Sequence, residues 1–354
     1  MRLQFCAALL LIPTCCNAAE EIYPGYTWHA LGNDIYLHSQ NDPLAGPVDG
    51  NSIVILNEDG VVVVDTHINP AVARAVIQKV RDLTDAPVTH VINTHWHDDH
   101  ANGNHAYRHA FPNVRIITHA DTLKSLRGEW AAMEEQRRAA YAKVEPDELL
   151  AAAASLQPED PTTAISYRLY AGYVSALRSE LPTLQLEYPD TVFEQTSILE
   201  FSHRRVELRW LGRGNTDGDI VVWLPGERVL LTGDMLVAPI PFAFDSPMVD
   251  WVDTLKRLGE MEPRLIVPGH GAAQYDSNYL KAVLALLEAT IQRVQAAYAS
   301  GVAFADLEKT VDLGDFRSEF AGENPERLWA WESYFVRPAL KSAWTSLEYP
   351  LPEE

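Results

Sequence analysis

The chain has 354 residues, 47% hydrophobic and 22% charged, the proportions of a globular enzyme with room for one α/β domain and additions to it. A formal net charge of −21 argues against nucleic acid and anionic membrane as partners, because a polyanion would be repelled, and leaves a small molecule as the expected substrate. The three cysteines, Cys6, Cys15 and Cys16, all precede Asn17, so the remainder offers neither a disulfide framework nor a thiolate metal ligand.

Residues 1–18 read as a secretory signal. Arg2 supplies a small positive charge, residues 3–12 form an apolar run, and Cys16-Asn17-Ala18 gives small residues for cleavage. Export, in the bacterial manner to a periplasm, is expected. No other stretch is apolar for long enough to span a bilayer, so no membrane insertion is expected after the signal is removed.

Beyond the signal, residues 26–38 read as short paired strands broken at Gly32-Asn33. Residues 51–56 and 61–65 form a hairpin around Asn57-Glu58-Asp59-Gly60, whose composition suits a turn. The run Val61-Val62-Val63-Val64 has the unbroken β-branched character of a strand covered on both faces. Asn69-Pro70 opens a helix with Val72, Val76 and Val80 at helical spacing. Strands follow at 88–93 and 114–118. Residues 121–187, rich in Ala, Glu, Arg and Leu, read as a helical insertion, either plain packing or a wall of a pocket. Strands return over 191–211, 220–224, 229–231 and 265–267, with a helix at 250–261. Residues 276–354 read as a helical extension that braces the core or makes oligomer contacts.

Chemistry concentrates in Thr94-His95-Trp96-His97-Asp98-Asp99-His100. It follows a buried strand, and sites in α/β folds gather at the carboxyl ends of strands. Imidazole nitrogen and carboxylate oxygen suit a borderline cation such as Zn²⁺. In an extended turn His95 and His97 share a side, Asp99 follows on it, and His100 swings to the other, a geometry for two adjacent ions. Three more polar, glycine-bearing turns end apolar runs: Gly212-Arg213-Gly214-Asn215-Thr216-Asp217-Gly218-Asp219, Thr232-Gly233-Asp234, and Pro268-Gly269-His270. His67 and His119 end strands on the same expected edge. His29, His38, His90, His105, His109 and His203 lack ligand spacing and read as surface or core.

With these motifs in this order, residues 26–275 resemble the metallo-β-lactamase superfamily. The resemblance implies an α/β fold, a four-layer αβ/βα sandwich with the helical insertion and the helical C-terminal extension added to it, over a domain of residues 19–275. It implies His95 and His97 in a first metal site, Asp99, His100 and His270 in a second, and Asp234 bridging the two. Asp65 and Asp219 match positions that orient ligands from behind. One departure stands out, because the glycine-rich loop of the family usually carries a third histidine and here has Asn215. An amide oxygen is a harder, weaker donor than imidazole. Three outcomes are open: Asn215 ligates through oxygen, the first site is completed by water, or the second site works alone. The intact second set predicts one or two Zn²⁺ per chain, with the second site tighter.

The resemblance implies a metal-dependent hydrolase that attacks an ester, lactone, thioester or amide carbonyl with metal-bound hydroxide, Asp99 orienting the nucleophile and carrying the proton. The alternatives are a periplasmic β-lactam hydrolase and a non-catalytic or metal-poor binding protein, the latter suggested by Asn215.

Overall fold

A computed structural model describes residues 19–157, 159–244 and 246–348. The expected signal, residues 1–18, lies outside the described residues, as does Pro158, expected to break the insertion.

The first sheet takes eight strands in chain order: β1 (Glu20–Tyr23), β2 (Tyr26–Gly32), β3 (Ile35–Gln40), β4 (Ser52–Asn57), β5 (Gly60–Val64), β6 (Val88–Ile92), β7 (Arg115–His119) and β8 (Thr191–Phe193). Up to β5 the pairing is antiparallel, and from β5 to β8 it is parallel. The second sheet holds β9 (Thr196–Phe201), β10 (Arg204–Arg209), β11 (Val221–Leu224), β12 (Val229–Leu231) and β13 (Leu265–Val267) in the order β13-β12-β11-β10-β9. The 191–211 region, read from sequence as strands, is divided between the two sheets. Its first strand closes the edge of one sheet, and the rest crosses into the other.

The alternation of the strands makes the layers. Val62 and Val64 turn inward with Ile35, Leu37, Ile53 and Ile92 to meet Val206, Leu208, Val222, Leu231 and Val267 of the second sheet. Val61 and Val63 turn outward onto Ala73, Val76, Ile77 and Val80 of α1 (Pro70–Leu83). One four-valine run is thus buried on both faces, at about 2 kcal/mol per side chain. Asn69 caps α1, its side-chain oxygen accepting from Ala71 N at 2.8 Å ahead of Pro70. Two short helices follow β6, α2 (Asp98–Ala101) and α3 (Asn104–Ala110).

The insertion is a chain of helices: α4 (Ala120–Ser125), a π-helical turn (Leu126–Trp130), α5 (Ala131–Tyr141), α6 (Pro146–Leu156) and α7 (Pro161–Leu177). On the far side, α8 (Met248–Glu260) and α9 (Asn278–Ala299) cover the second sheet. The extension continues through α10 (Leu307–Thr310), α11 (Gly314–Phe320), α12 (Pro325–Ala330), a π-helical turn (Trp331–Val336) and α13 (Arg337–Glu348). Trp331, Phe335, Leu340 and Trp344 share one apolar core with Trp251 and Leu255 of α8 and with Leu230 and Ile266 of the sheet. The four layers are complete, and the extension is built into the outermost one. Among the described residues no helix is long and apolar enough to cross a membrane.

The insertion is docked where two backbones touch. A Cβ on Gly172 of α7 would lie 2.2 Å from Gly46 O, and one on Gly46 would lie 2.5 Å from Leu169 O. Only glycine admits that approach. Gly172→Ala is expected to push α7 off the 46 loop and to lower stability by about 1–3 kcal/mol, read as a lower urea midpoint and faster proteolysis within residues 131–177. An unchanged midpoint and cleavage pattern would contradict this packing.

Candidate metal centre

The site assembles at strand ends. Asp65 follows β5, the His95–His100 motif follows β6, Asp234 follows β12, and His270 follows β13. Both pairs of strands run parallel, so their carboxyl ends open on one edge between the sheets.

The motif is not extended throughout. His97 has extended backbone at φ −61°, ψ 147°, and the chain turns helical from Asp98, so Asp99 and His100 leave from consecutive positions of α2. This change of backbone sends His100 to the opposite side from His95 and His97. The structure then forms two groups whose ligand atoms lie within 4.8 Å of one another: His95, His97 and Asp234, and Asp99, His100 and His270. Asp234 faces both. Its Oδ2 lies 3.7 Å from His95 Nε2, while Oδ1 lies 3.2 Å from His100 Nε2 and 3.4 Å from His270 Nε2. Asp99 Oδ2 lies 3.1 Å from His270 Nε2 and 3.4 Å from His100 Nε2. Gly269 makes room, because a Cβ there would sit 2.0 Å from Asp234 Oδ1.

Asp65 sets the tautomers. Its Oδ2 accepts from His100 Nδ1 at 2.8 Å and from Thr94 Oγ1 at 2.7 Å, and its Oδ1 accepts from Thr94 N at 2.8 Å. With its proton given to Asp65, Thr94 Oγ1 accepts from His95 Nδ1 at 3.1 Å. One carboxylate thus turns the Nε2 atoms of both His95 and His100 into the site. The strands alone could not have done this, since Asp65 takes up left-handed backbone, φ 59°, to reach the motif.

The donor set fits a pair of ions of the zinc type. His95 Nε2 and His97 Nδ1 converge to 3.0 Å, and His100 Nε2 and His270 Nε2 to 3.4 Å, separations that call for a proton or a cation between them. Asp234 Oδ1 and Asn215 Oδ1 are buried without a hydrogen-bond partner in the protein. In the protein alone, burial pushes His270 down, but Asp234 and Asp99 outweigh it and bring it to about 9. Burial likewise opposes ionisation of Asp234, and His270 and His100 overcome it, holding the carboxyl well below its usual range. Burial and the neighbouring His100 hold His95 well below the ordinary imidazole range. A cation entering the second group must therefore displace protons, so affinity there falls on acidification.

Asn215 and Asp219 belong to one buried turn. Asn215 Nδ2 donates to Phe242 O at 3.0 Å, which leaves Oδ1 as its free atom. Asp219 Oδ2 accepts from Thr216 N and, at 2.9 Å, from Thr216 Oγ1, and Ile220 N ties the turn to Thr94 O at 3.0 Å. Asp219 fixes the loop that carries Asn215.

His67 and His119 do not line the site. His67 hydrogen-bonds His38 at 2.8 Å and faces Asp49, while His119 stacks on Trp210 and caps α4. The sequence reading missed Asp49, whose carboxylate accepts from Ile68 N at 2.7 Å and Tyr26 Oη at 2.7 Å and braces the turn after Asp65. It also missed Thr94 as the relay to His95, and Tyr334, which reaches the site from the extension. Thr94 was within the motif and could have been found. Asp49 and Tyr334 carry no local signal.

A small cavity opens on the centre, lined by His97, Asp98, Asp99 and Asp234 together with Val48, Tyr173, Phe242, Phe244 and Tyr334. A larger hollow lies elsewhere, beyond His270 on the face of β2 and β3.

The family model for the metallo-beta-lactamase superfamily matches residues 45–270, and the chain belongs to that superfamily of hydrolases. Metallo-beta-lactamase type 2 of Bacteroides fragilis is 24% identical over 232 residues, 64% of this chain and 70% of that protein. The protein of the same name from Bacillus cereus is 24% identical over 251 residues, 68% of this chain and 75% of its own. Among solved structures, a metallo-beta-lactamase from Pontibacter korlensis has the same fold, with a TM-score of 0.52 at 18% identity, covering 74% of this chain and 99% of that one. FIM-1 of Pseudomonas aeruginosa, described in a mono-zinc form, gives a TM-score of 0.51 at 16% identity, covering 74% of this chain and 95% of that one.

Burial, against the hydrogen bonds from Thr216 and with the charge of Asp234, raises Asp219 to about 7. Below the ordinary carboxylate range both folded and unfolded chains hold the proton. As pH rises to about 7 the unfolded chain ionises first, so the share of stability that this proton confers is lost progressively and is gone above that value. In metal-stripped protein, Asp219→Asn should gain about 2 kcal/mol on the native chain between pH 5 and pH 8, measured by urea unfolding. A difference independent of pH would contradict the burial of this carboxyl.

Proposed function

We propose that the chain is a zinc-dependent hydrolase of a carbonyl-type bond, an ester, lactone, thioester or amide, in a small molecule. The observation that carries this is Asp234, whose two oxygens face separate imidazole groups 3.2–3.7 Å away. In this reading His95, His97 and Asp234, with Asn215 as an oxygen donor, would hold one ion. Asp99, His100, His270 and Asp234 would hold the other, and this complete set would bind more tightly. Bound zinc would supply a Lewis acid for the carbonyl and a nucleophile made from water near neutral pH.

The chain's own part is positioning and proton transfer. Asp65 keeps the protons of His95 and His100 on their Nδ1 atoms. Asp99 is half-buried and lines the cavity, so its carboxylate can take the proton of the attacking water and pass it to the leaving group. Phe242, Phe244 and Tyr334 keep bulk water from that exchange. Export by residues 1–18 to a periplasm belongs to the same proposal. A β-lactam amide is the second reading, supported by the names of the relatives from Bacteroides fragilis and Bacillus cereus.

Asp99→Asn and His270→Ala should each lower kcat/KM by at least a thousandfold on any substrate found in a panel of a lactone, a thioester and nitrocefin, while circular dichroism stays native. Retained activity in either variant would refute the assignment. Metal analysis during stepwise chelation should show one zinc lost well before the other, and two ions leaving together with equal affinity would remove the proposed difference between the sites.

A further inference from the structure

Resting on the hydrolase reading above, we propose that the aromatic cavity beside the centre is the subsite for the acyl group, and that it selects a neutral, planar, apolar group of about phenyl size. The cavity holds about 200 Å³, against ~150 Å³ for an engineered cavity that takes up benzene. Its floor is the metal-facing edge of His97, Asp99 and Asp234, so a ring seated there leaves its carbonyl at the reacting position.

The walls come from three separate parts of the chain. Phe242 and Phe244 lie on the loop after β12, with ring centroids 5.5 Å apart. Tyr334 stands 5.1 Å from Phe242 and 5.3 Å from Phe244 in edge-on contact, which forms a three-ring cluster. The π-helical turn that carries Tyr334 is fastened to that loop by Ala243 N donating to Tyr334 O at 2.8 Å. Single π-helical turns of this kind are frequent at functional sites, and this one carries Tyr334. Opposite them stands Tyr173, which follows the glycine that lets α7 touch the 46 loop, its hydroxyl 3.5 Å from Val48 O. Ring faces and edges at these separations favour a flat guest.

Charge sets the second half of the preference. Among the described residues lining the cavity there is no Lys or Arg, while Asp98, Asp99 and Asp234 all contribute. Asp98 is matched by Arg137 at 2.5 Å, so that cation is already committed. Arg213 and Lys341 line a separate hollow that Phe244 also borders, and Arg213 Nε donates to Asp250 at 2.6 Å. An acyl chain that carried its own carboxylate into this cavity would lose water among Phe242, Phe244 and Tyr334 with no Lys or Arg of the lining to pair it. The subsite therefore favours neutral acyl groups over those that carry a carboxylate.

The test uses zinc-loaded protein and the ethyl esters of phenylacetic, butanoic and hemisuccinic acid. In each reaction water adds its oxygen to the acyl carbon, the bond to the ethoxy oxygen breaks, ethanol leaves with one proton, and the acid releases another to the medium. That released proton is the signal. The phenylacetyl ester should exceed the butanoyl ester in kcat/KM by at least tenfold, and the butanoyl ester should exceed the hemisuccinyl ester. Phe244 is 40% exposed, so Phe244→Ala opens no hole in the core. That variant and Tyr334→Ala should each lower the phenylacetyl-to-butanoyl ratio at least tenfold. A hemisuccinyl ester turned over as fast as the butanoyl ester, or a ratio that neither variant moves, overturns the proposal. If none of the three esters is cleaved, the ester-hydrolase reading fails by itself. The subsite is then judged by saturation-transfer NMR with phenylacetamide, with binding expected in the native protein and lost in Phe244→Ala. Absence of binding to the native protein, or equal binding to the variant, overturns it.

Discussion

A single buried carboxylate holds the two limbs of the centre in register. Asp65 reaches across from the end of β5 to the motif after β6 and takes three hydrogen bonds there, from Thr94 N, Thr94 Oγ1 and His100 Nδ1. Through Thr94 it acts on His95 as well, so the orientation of one imidazole in each metal-facing group depends on the same atom. Its left-handed backbone costs about 1–3 kcal/mol, and the parallel pairing of β5 with β6 and the cap at Asp49 restrain the turn on both sides. The rest of the site follows from this restraint. Fixed Nε2 atoms give Asp234 two directions to face, and the sheet that carries Asp234 and His270 completes the two groups.

The contribution of the second sheet is looser in covalent terms and tighter in packing. Asn51 Nδ2 donates to Pro268 O at 2.8 Å and to Gly271 O at 2.9 Å, and Asn51 N donates to Gly269 O at 2.6 Å, so the His270 loop is clamped from the first sheet. Gly50, beside that clamp, leaves space for the His100 ring, which a Cβ there would approach to 2.6 Å. The two halves of the sandwich are thus joined at the centre by polar contacts and behind it by an apolar core. Relative movement of the sheets would open both together.

Much of this was legible in the sequence, for identifiable reasons. The four-valine strand, the hairpin before it and the capped helix after it are short-range patterns, and their signals are unambiguous in periodicity and turn chemistry. The residues of the two groups that could hold a metal could be read because such residue types are few and strand ends are where they gather. Other features depend on contacts made at long range. Nothing local in residues 191–211 marks the step from one sheet to the other after Phe193. The turn of the motif into helix at Asp98 is set by packing of α2 on the Asp65 turn, so an extended reading placed the correct residues with the wrong backbone. Asp49 is one acid among the 49 Asp and Glu residues of the chain, and only its neighbours His67, Tyr26 and Ile68 distinguish it. Tyr334 looked like another aromatic of a bracing helix because its neighbour across the site, Phe242, is far away in the chain.

The way Tyr173, Tyr334 and Phe244 are mounted separates two kinds of change over evolutionary time. The groups that face a cation all sit on the sandwich, whose turns are locked by buried hydrogen bonds and tolerate little drift. Two of the three parts that shape the guest's environment, α7 and the turn carrying Tyr334, are appended elements. The first is held by a glycine contact and by Val174 and Leu177 packed on Ile68, the second by a backbone hydrogen bond and by Trp331 and Phe335 in the outer core. Substitutions or small insertions in those appendages can remould what the chain accepts while leaving the reactive machinery in place. A lineage built on this plan would diverge in diet long before it diverged in chemistry.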